Sequence, residues 1–344
     1  MKFHLNSPTF NQSKTNLLFF ILLIFSTLIT VNSSSWISAW MGMEINLMSF
    51  IPMMMMKNKM FKPSISMMTY FLIQSSSSCF LLFFIMMNKI ELFTNKINFL
   101  NYFIQLSLLM KLGAAPFHWW TPKIINLLNW KNCFILLTWQ KLNPLILIFL
   151  TKFSNLIYYS ILFSLIIGSI LGLNQSSLKL IIAYSSINHI SWLMISMMLN
   201  FSTFILYYVV YFLTILTICL MLNSLNINYL TQMYKNNTNL TLKILLTFMF
   251  FSMGGIPPML GFFPKFKILM LMLNNNLIME SLMFILFSLI TLSYYMNPMM
   301  SGLILFKINS KWTINSFYLV NKFILIILIN LFLAMLLILP LSLL

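Results

Sequence analysis

Three lysines and one glutamate lie inside apolar stretches of the chain, where a charged side chain is costly. The run MKLGAAPFHWW contains Lys111, LTWQKLNPL contains Lys141, MGGIPPMLGFFPKF contains Lys265, and WISAWMGMEINLMSFIP contains Glu44. The apolar pattern before Lys111 begins near position 98, so this lysine is expected roughly 20 Å along a helix, well inside a hydrocarbon layer ~30 Å thick. Ionisable groups at such depths usually serve an ion path or a proton relay.

Each of these lysines lies close to a proline that interrupts helical hydrogen bonding. The prolines at 116, 144 and 264 have no N–H, so the carbonyls at 112, 140 and 260 are predicted to lose their helical partners. One such lysine could be a snorkelling side chain near a helix end. Three lysines beside helix breaks, together with a glutamate, favour a proton path instead.

The expected chemistry is proton transfer between buried amines. Burial disfavours the ammonium form of lysine, which allows the side chain to gain and lose a proton near neutral pH, whereas a neighbouring carboxylate favours the charged form. We therefore expect Glu44 to keep Lys111 protonated while the two are paired and to discharge it when they separate. Lys141 and Lys265 would then form the onward steps.

The histidines and cysteines predict little further chemistry. His118 and His189 are possible intermediate proton carriers, although a structural, hydrogen-bonded role fits each of them at least as well. The three cysteines lie singly in apolar runs and the three histidines are dispersed, so neither a disulfide nor a metal, haem or iron–sulfur site is predicted.

The composition places these residues in a membrane. Of the 344 residues 60% are hydrophobic, only 7% are charged, and the net charge of +17 is carried by lysines scattered between apolar spans. Such a chain is too apolar for a soluble domain and has no basic cluster for nucleic acid. Abundant Met, Phe, Ile, Asn and Lys, without Arg or Asp, is typical of an AT-rich organelle genome.

The apolar runs predict an all-α, polytopic transmembrane bundle of about eleven helices in a single membrane domain, residues 1–344. The predicted spans are 16–34, 36–56, 64–87, 98–128, 132–151, 154–173, 177–199, 201–223, 240–273, 278–300 and 322–343. The fourth and ninth are too long for one straight helix and carry Gly and Pro in the middle, which predicts two broken helices. These are the fourth members of two sets of five, 16–151 and 154–300, and because five is odd the two repeats would be inverted. Segment 1–15 precedes the repeats and helix 322–343 follows them.

The lysines also predict an orientation. The N-terminal segment and every second loop after it hold the lysines at 2, 14, 57, 59, 62, 123, 131, 179, 235, 243, 307, 311 and 322, whereas the other loops hold those at 89, 96 and 152. By the positive-inside rule the N-terminus faces the cytoplasm or the mitochondrial matrix.

Five motifs in order resemble a known family. WMGMEINLMSFIP, KLGAAPFHWW, LTWQKLNPL, GLNQSSLKLIIAYSSINHISW and GGIPPMLGFFPKF are similar to the chain 2 family of mitochondrial NADH–ubiquinone oxidoreductase, respiratory complex I, in an insect-like form. The resemblance covers most of residues 16–300. It implies an antiporter-like, proton-pumping subunit of the membrane arm, in the mitochondrial inner membrane beside other membrane-arm subunits, in which Glu44, Lys111, Lys141 and Lys265 are the central-axis carboxylate and lysines.

The resemblance also implies that NADH, FMN, iron–sulfur clusters and ubiquinone reduction belong to other subunits, so that this chain is part of an enzyme without a redox centre of its own. Two other functions are considered. A cation/proton antiporter subunit working without redox input would share the broken helices and the lysines. A membrane scaffold whose charges only dock neighbours is disfavoured by the buried lysines.

Overall fold

The computed structural model describes residues 9–55, 61–90, 97–235, 240–257 and 259–303. Within these ranges the chain forms α-helices, one short 3-10 turn at Phe117–Trp119 and no β-strand. In chain order the helices are α1 Thr9–Val31, α2 Trp36–Met55, α3 Phe61–Ile90, α4 Ile97–Leu112, α5 Trp120–Leu127, α6 Trp130–Leu137, α7 Trp139–Leu150, α8 Asn155–Ile170, α9 Leu178–Leu199, α10 Phe201–Leu225, α11 Leu230–Lys235, α12 Leu240–Gly254, α13 Phe262–Asn274 and α14 Ile278–Leu303. The predicted span 322–343, the segment 1–8 and the lysines at 2, 57, 59, 96, 307, 311 and 322 lie outside the described residues.

The all-helical prediction is confirmed for these ranges, and the helices occupy the predicted spans between 16 and 300 to within a few residues. Among the described residues, five segments are long and apolar enough to cross a bilayer, namely Ser64–Ile90, Trp130–Leu150, Leu178–Leu199, Phe201–Leu225 and Ile278–Met300. A helix suits this role because it satisfies its own backbone hydrogen bonds where lipid offers none.

The described chain divides into two compact units. The first comprises Met1–Gly113, Trp119–Leu128 and Trp139–Leu156. Within it α3 packs against α2, α4 and α5, while α7 packs against α1 and α4. Tyr70 of α3 lies between aromatic rings of neighbouring helices, at 5.3 Å from Phe50 and 6.2 Å from Trp120 between ring centroids.

The second unit comprises Ala114–His118, Asn129–Thr138 and Ile157–Leu344. Within it α9 packs against α10 and α13, and α10 also contacts α6, α12 and α13. Asn200 alone separates α9 from α10. The serines of α9 are buried, and each donates its hydroxyl to a carbonyl of its own helix three residues earlier, as at 185, 186, 191 and 196. These polar side chains are therefore satisfied inside a nearly enclosed helix.

Both predicted helix breaks are present, at 113–116 between α4 and α5 and at 255–261 between α12 and α13. The predicted helix 132–151 is interrupted as well, at Thr138, six residues before Pro144, which lies inside α7. The carbonyls of Leu137 and Thr138 accept hydrogen bonds from Tyr211 and Tyr208 of α10, at 3.1 and 3.2 Å. Phenols from another helix thus satisfy the carbonyls at this interruption, which a local proline pattern could not predict.

Candidate functional site

Lys111 lies in the last turn of α4, and its side chain is buried with 6% exposed. Gly113 ends the helix with a φ of 68°, and its N–H donates to the carbonyls of Leu109 and Met110. This left-handed geometry favours glycine and closes the helix beside the lysine. The helix therefore stops where the charged side chain lies, as the sequence predicts.

Side chains from other helices bind the carbonyls around this break. Trp120 Nε1 donates to the Met110 carbonyl at 3.1 Å, and Gln74 Nε2 donates to the Lys111 carbonyl at 3.2 Å. These carbonyls directly precede that of Leu112, for which the loss of a helical partner is predicted. The end of α4 is thus held by an indole and an amide from α5 and α3.

Glu44 lies in the middle of α2 and interacts electrostatically with Lys111 of α4 and with Tyr70 of α3. Its side chain is half-buried, and its Oε1 atom is enclosed without a hydrogen-bond partner in the described structure. An enclosed carboxylate oxygen is costly without a donor, so the Oε1 atom of Glu44 is an unused hydrogen-bond acceptor inside the first unit. The first unit therefore brings the predicted carboxylate and the first predicted lysine into one electrostatic pair.

Lys141 is also in the first unit, three residues after the interruption at Thr138, and is 4% exposed. The preceding residue, Gln140, accepts a hydrogen bond from Tyr70 at 3.2 Å and donates one to Asn46 of α2 at 3.0 Å. Tyr70, Gln140 and Asn46, together the Gln140 cluster, connect three helices that carry or flank the charged residues. Sequence reasoning missed this cluster, because nothing in one helix shows which polar side chain of another will meet it.

Lys265 belongs to the second unit, on α13 just after the break, and is 7% exposed. Its Nζ donates to the carbonyls of Gly254 and Met253 at the end of α12, at 3.0 and 3.4 Å, and lies 5.9 Å from the ring of Trp192. A cation is favoured at this position because the carboxyl end of a helix carries partial negative charge and an indole face attracts cations. These contacts offset part of the cost of burying the Lys265 side chain.

His189 lies on α9 in the same unit, with Nδ1 2.8 Å from the Tyr207 hydroxyl. It lines a cavity with room for about one water molecule, together with Tyr211, Ser252 and Met253. The Met253 carbonyl also accepts a hydrogen bond from Lys265. The second unit therefore brings His189 and Lys265 to the same break. Sequence reasoning did not identify Trp192, Tyr207 or Tyr211, although all three are buried polar aromatics and Trp192 is the last residue of a motif singled out.

His118 takes a different position from His189. It is half-buried in the 3-10 turn after the α4 break, and its Nδ1 lies 3.2 Å from the Pro116 carbonyl. This contact fits the structural alternative for His118. In the described ranges no group of three or more His, Cys, Asp or Glu side chains could hold a metal ion.

Buried amines with an adjacent carboxylate, backbone acceptors and a neighbouring imidazole can exchange protons without a cofactor of their own. Within each unit, acceptors lie beside the charged side chains. The arrangement is therefore suited to moving protons in short steps through a membrane.

Comparisons with known proteins agree with this chemistry. The family model for the transmembrane region of NADH:quinone oxidoreductase and Mrp antiporter proteins matches residues 33–291. The NADH-ubiquinone oxidoreductase chain 2 of Anopheles gambiae is 40% identical over 287 residues, which are 82% of this chain and 84% of that protein. The protein of the same name from Locusta migratoria is 36% identical over 307 residues, 88% of this chain and 89% of the relative.

Solved structures share the fold at much lower identity. A chain of respiratory complex I from Thermus thermophilus with bound aureothin superimposes with a TM-score of 0.81 and 15% identity, over 95% of this chain and 79% of that chain. A chain of the Mrp complex from Dietzia gives a TM-score of 0.75 at 13% identity, over 85% and 61% of the two chains. Since the family model spans most of the sequence and the insect relatives align over more than four fifths of it, the chain belongs to the NADH-ubiquinone oxidoreductase chain 2 family.

Proposed function

We propose that this chain translocates protons as a membrane-arm subunit of NADH:ubiquinone oxidoreductase. The observation that supports the proposal most directly is the electrostatic interaction between half-buried Glu44 and buried Lys111 at the point where α4 breaks. A carboxylate that can hold or release the charge on a buried amine is the element that a redox-driven pump needs. Membership of the chain 2 family supplies the redox enzyme to which the pair would be coupled.

The proposed relay has four main positions. The ionised Glu44 carboxylate keeps Lys111 protonated, and loss of that interaction lets the Lys111 ammonium pass its proton toward Lys141. Lys265 is the last amine, stabilised by the carbonyls that end α12, and His189 or His118 would carry protons between the amines. No bond other than N–H or O–H is made or broken, so each step returns a neutral amine ready for another proton.

The proposal also specifies the membrane, the topology and the partners of the chain. It would lie in the mitochondrial inner membrane, with about eleven helices in two inverted sets of five and with its N-terminus on the matrix side. Other membrane-arm subunits, among them antiporter-like neighbours, and the lipid bilayer would be its partners, and NADH, FMN, iron–sulfur clusters and ubiquinone would bind elsewhere in the complex. Protease access to an N-terminal tag from the matrix side tests the orientation, and access from the opposite side contradicts it.

The test of the function compares Lys111→Met with Lys123→Met in the assembled complex. The first removes a buried proton site and keeps side-chain length, whereas Lys123 is an exposed residue of α5 that lies over Trp119. We expect Lys111→Met to lower proton uptake into vesicles by a factor on the order of 100 and to lower NADH–quinone turnover with it. Lys123→Met should leave both rates unchanged.

The same vesicles distinguish the alternative function. If the chain works as a cation/proton antiporter without redox input, Lys111→Met abolishes ion exchange while NADH–quinone turnover continues at the normal rate. Normal values of both rates in Lys111→Met would contradict any proton path through this residue.

A further inference from the structure

A crevice opens into the first unit at the turn between α1 and α2. Its volume is about 140 Å³, which is room for several water molecules, and its wall includes the serines at 33, 34 and 35. Ala39 of α2 and Leu147 and Leu150 of α7 also line it. Serine hydroxyls form hydrogen bonds with water, whereas lipid chains offer no partner for them. The crevice is therefore a polar opening between α2 and α7 that favours water.

The same two helices also meet deeper in the unit, where Gln140 of α7 donates to Asn46 of α2 at 3.0 Å. Gln140 precedes Leu147 by seven residues and Asn46 follows Ala39 by seven, so α2 and α7 run antiparallel over roughly 10 Å between the crevice and this hydrogen bond. Positions 140, 143, 147 and 150 share one face of α7, because residues three or four apart lie on the same side of a helix. Asn143 therefore lies on the α7 face between the crevice and the Gln140 cluster.

The side chain of Asn143 is enclosed at this position. It is 1% exposed, and neither its amide nitrogen nor its amide oxygen has a hydrogen-bond partner among the described residues. One turn earlier on the same face, the enclosed indole N–H of Trp139 lacks a partner there as well. A buried polar group without a protein partner is costly, and an ordered water is a common partner for such groups. The α7 face that leads inward from the crevice thus carries two polar groups suited to binding water.

We propose that the crevice admits water to the first unit and that Asn143 binds the water molecule that connects it to Lys141 and to the Gln140 cluster. This inference rests on the proposed function, in which Lys141 receives and passes protons. Asn143 is a positioning residue, because its amide orients the water and keeps its own protons. A proton moves along the water as one O–H or N–H bond forms and the next one breaks, so no oxidant or reductant is needed.

The position of the crevice specifies the side of the membrane that it serves. In the proposed orientation the turn between α1 and α2 lies on the face opposite the N-terminus, and residues 32–35 contain no lysine. The crevice therefore connects Lys141 with the intermembrane space.

The test measures proton uptake and thermal inactivation of Asn143→Leu in the assembled complex. The leucine has a similar size but removes both amide atoms. We expect proton uptake per assembled complex to fall severalfold, whereas the temperature of inactivation stays the same or rises because no protein hydrogen bond is lost. A residue needed only for packing would give the opposite pattern, with lower stability and normal uptake.

Gln105→Leu is the matched control. Gln105 is a fully buried glutamine of α4 in the same unit, and its amide donates to Thr151 Oγ1 at 3.2 Å and to the Lys152 carbonyl at 2.6 Å. Its replacement should reduce the amount and the thermal stability of the assembled complex and leave uptake per complex unchanged. If Asn143→Leu does not assemble, Asn143→Ala, which leaves only apolar space at this position, takes its place.

A second measurement looks for the water itself. A cryo-EM map of the unsubstituted complex that resolves buried waters should show one within hydrogen-bond distance of the Asn143 amide, and the map of Asn143→Leu should lack it.

Two results would overturn the inference. One is normal uptake per complex in the Asn143 variant. The other is a map that shows ordered waters elsewhere in the interior but only protein groups around the Asn143 amide. Either result, obtained while Lys111→Met still lowers uptake, rejects the water path and leaves the proposed function in place.

Discussion

The proposed relay needs the negative charge of Glu44 and not only the size of its side chain. Glu44→Gln keeps the size and hydrogen-bonding ability of the side chain but removes the negative charge that favours protonated Lys111. Moving one charge against ~100 mV costs ~2.3 kcal/mol, and the redox reaction must supply this energy. If Lys111 no longer changes its protonation state, the redox reaction has no step through which to supply it. We expect proton uptake and NADH–quinone turnover to fall together by roughly tenfold or more.

The measurement for Glu44→Gln is the rate of quinone reduction and of proton uptake in the same vesicles. Glu280→Gln is the control, because Glu280 is a glutamate of the second unit that accepts a hydrogen bond from Tyr158 at 2.7 Å and plays no part in the proposed relay. Unchanged rates in Glu44→Gln, or an equal loss in both variants, would contradict a specific role for the Glu44 charge.

For single residues, the sequence predicted the charged side chains of the candidate site but not the neutral side chains that contact them. A lysine or glutamate in an apolar run is conspicuous because its burial is costly in any fold. Tyr70, Gln140 and Trp192 are ordinary residues for a membrane helix, and their roles depend on side chains 70 to 94 positions away or on another helix. Only the packed structure brings such partners together.

Among the helices, the break between α12 and α13 requires a glycine at position 255. Gly255 has a φ of 77°, and a Cβ there would lie 3.1 Å from Lys265 Cδ and 3.2 Å from its Nζ. Gly255→Ala therefore combines an unfavourable backbone conformation, about 1–2 kcal/mol, with displacement of the lysine from the α12 carbonyls. We expect lower thermal stability of the complex and a severalfold loss of proton uptake.

The neighbouring glycine is the control for this prediction. A Cβ at Gly254 would lie 3.8 Å from Tyr295 Cδ2, an ordinary contact, so Gly254→Ala should be tolerated in both measurements. Thermal inactivation and proton uptake of the two variants are compared side by side. Equal behaviour of the two alanine variants would show that neither the backbone conformation nor the contact with Lys265 matters.

The predicted breaks illustrate what local sequence can and cannot reveal about a helix. Gly113 and Gly255 adopt positive φ, and prolines follow them. The residues at the two expected breaks are therefore sufficient to predict both of them. The interruption at Thr138 has no such local mark, and Pro144, six residues later, lies inside α7. The carbonyls at the interruption bind two phenols of α10, 70 and 74 residues further along the chain.

For the whole molecule, composition predicted a membrane protein, because no soluble class combines 60% hydrophobic residues with so few charges, and the apolar runs predicted that it is all-helical. The count of eleven spans and their inverted arrangement stay predictions. In the part of the chain that the structure describes, five helical segments meet the length and hydropathy of a full crossing, while others, such as α8, are shorter. The overlap with complex I of Thermus thermophilus at 15% identity indicates that this helical arrangement tolerates almost complete change of sequence.

The enclosed, serine-rich α9 has a consequence for biosynthesis. Its mean hydropathy is 1.3, against 2.4 for α10, and Asn200 alone joins the two. Such a weakly apolar segment partitions poorly from the translocon into lipid by itself. We expect residues 178–199 to insert inefficiently in a glycosylation reporter and residues 178–225 to insert as a hairpin, with Thr203 donating to the Ser196 carbonyl across the turn. Efficient insertion of 178–199 alone would contradict this order of events. We therefore expect α10 to carry α9 into the membrane, where α9 packs against its partner helices.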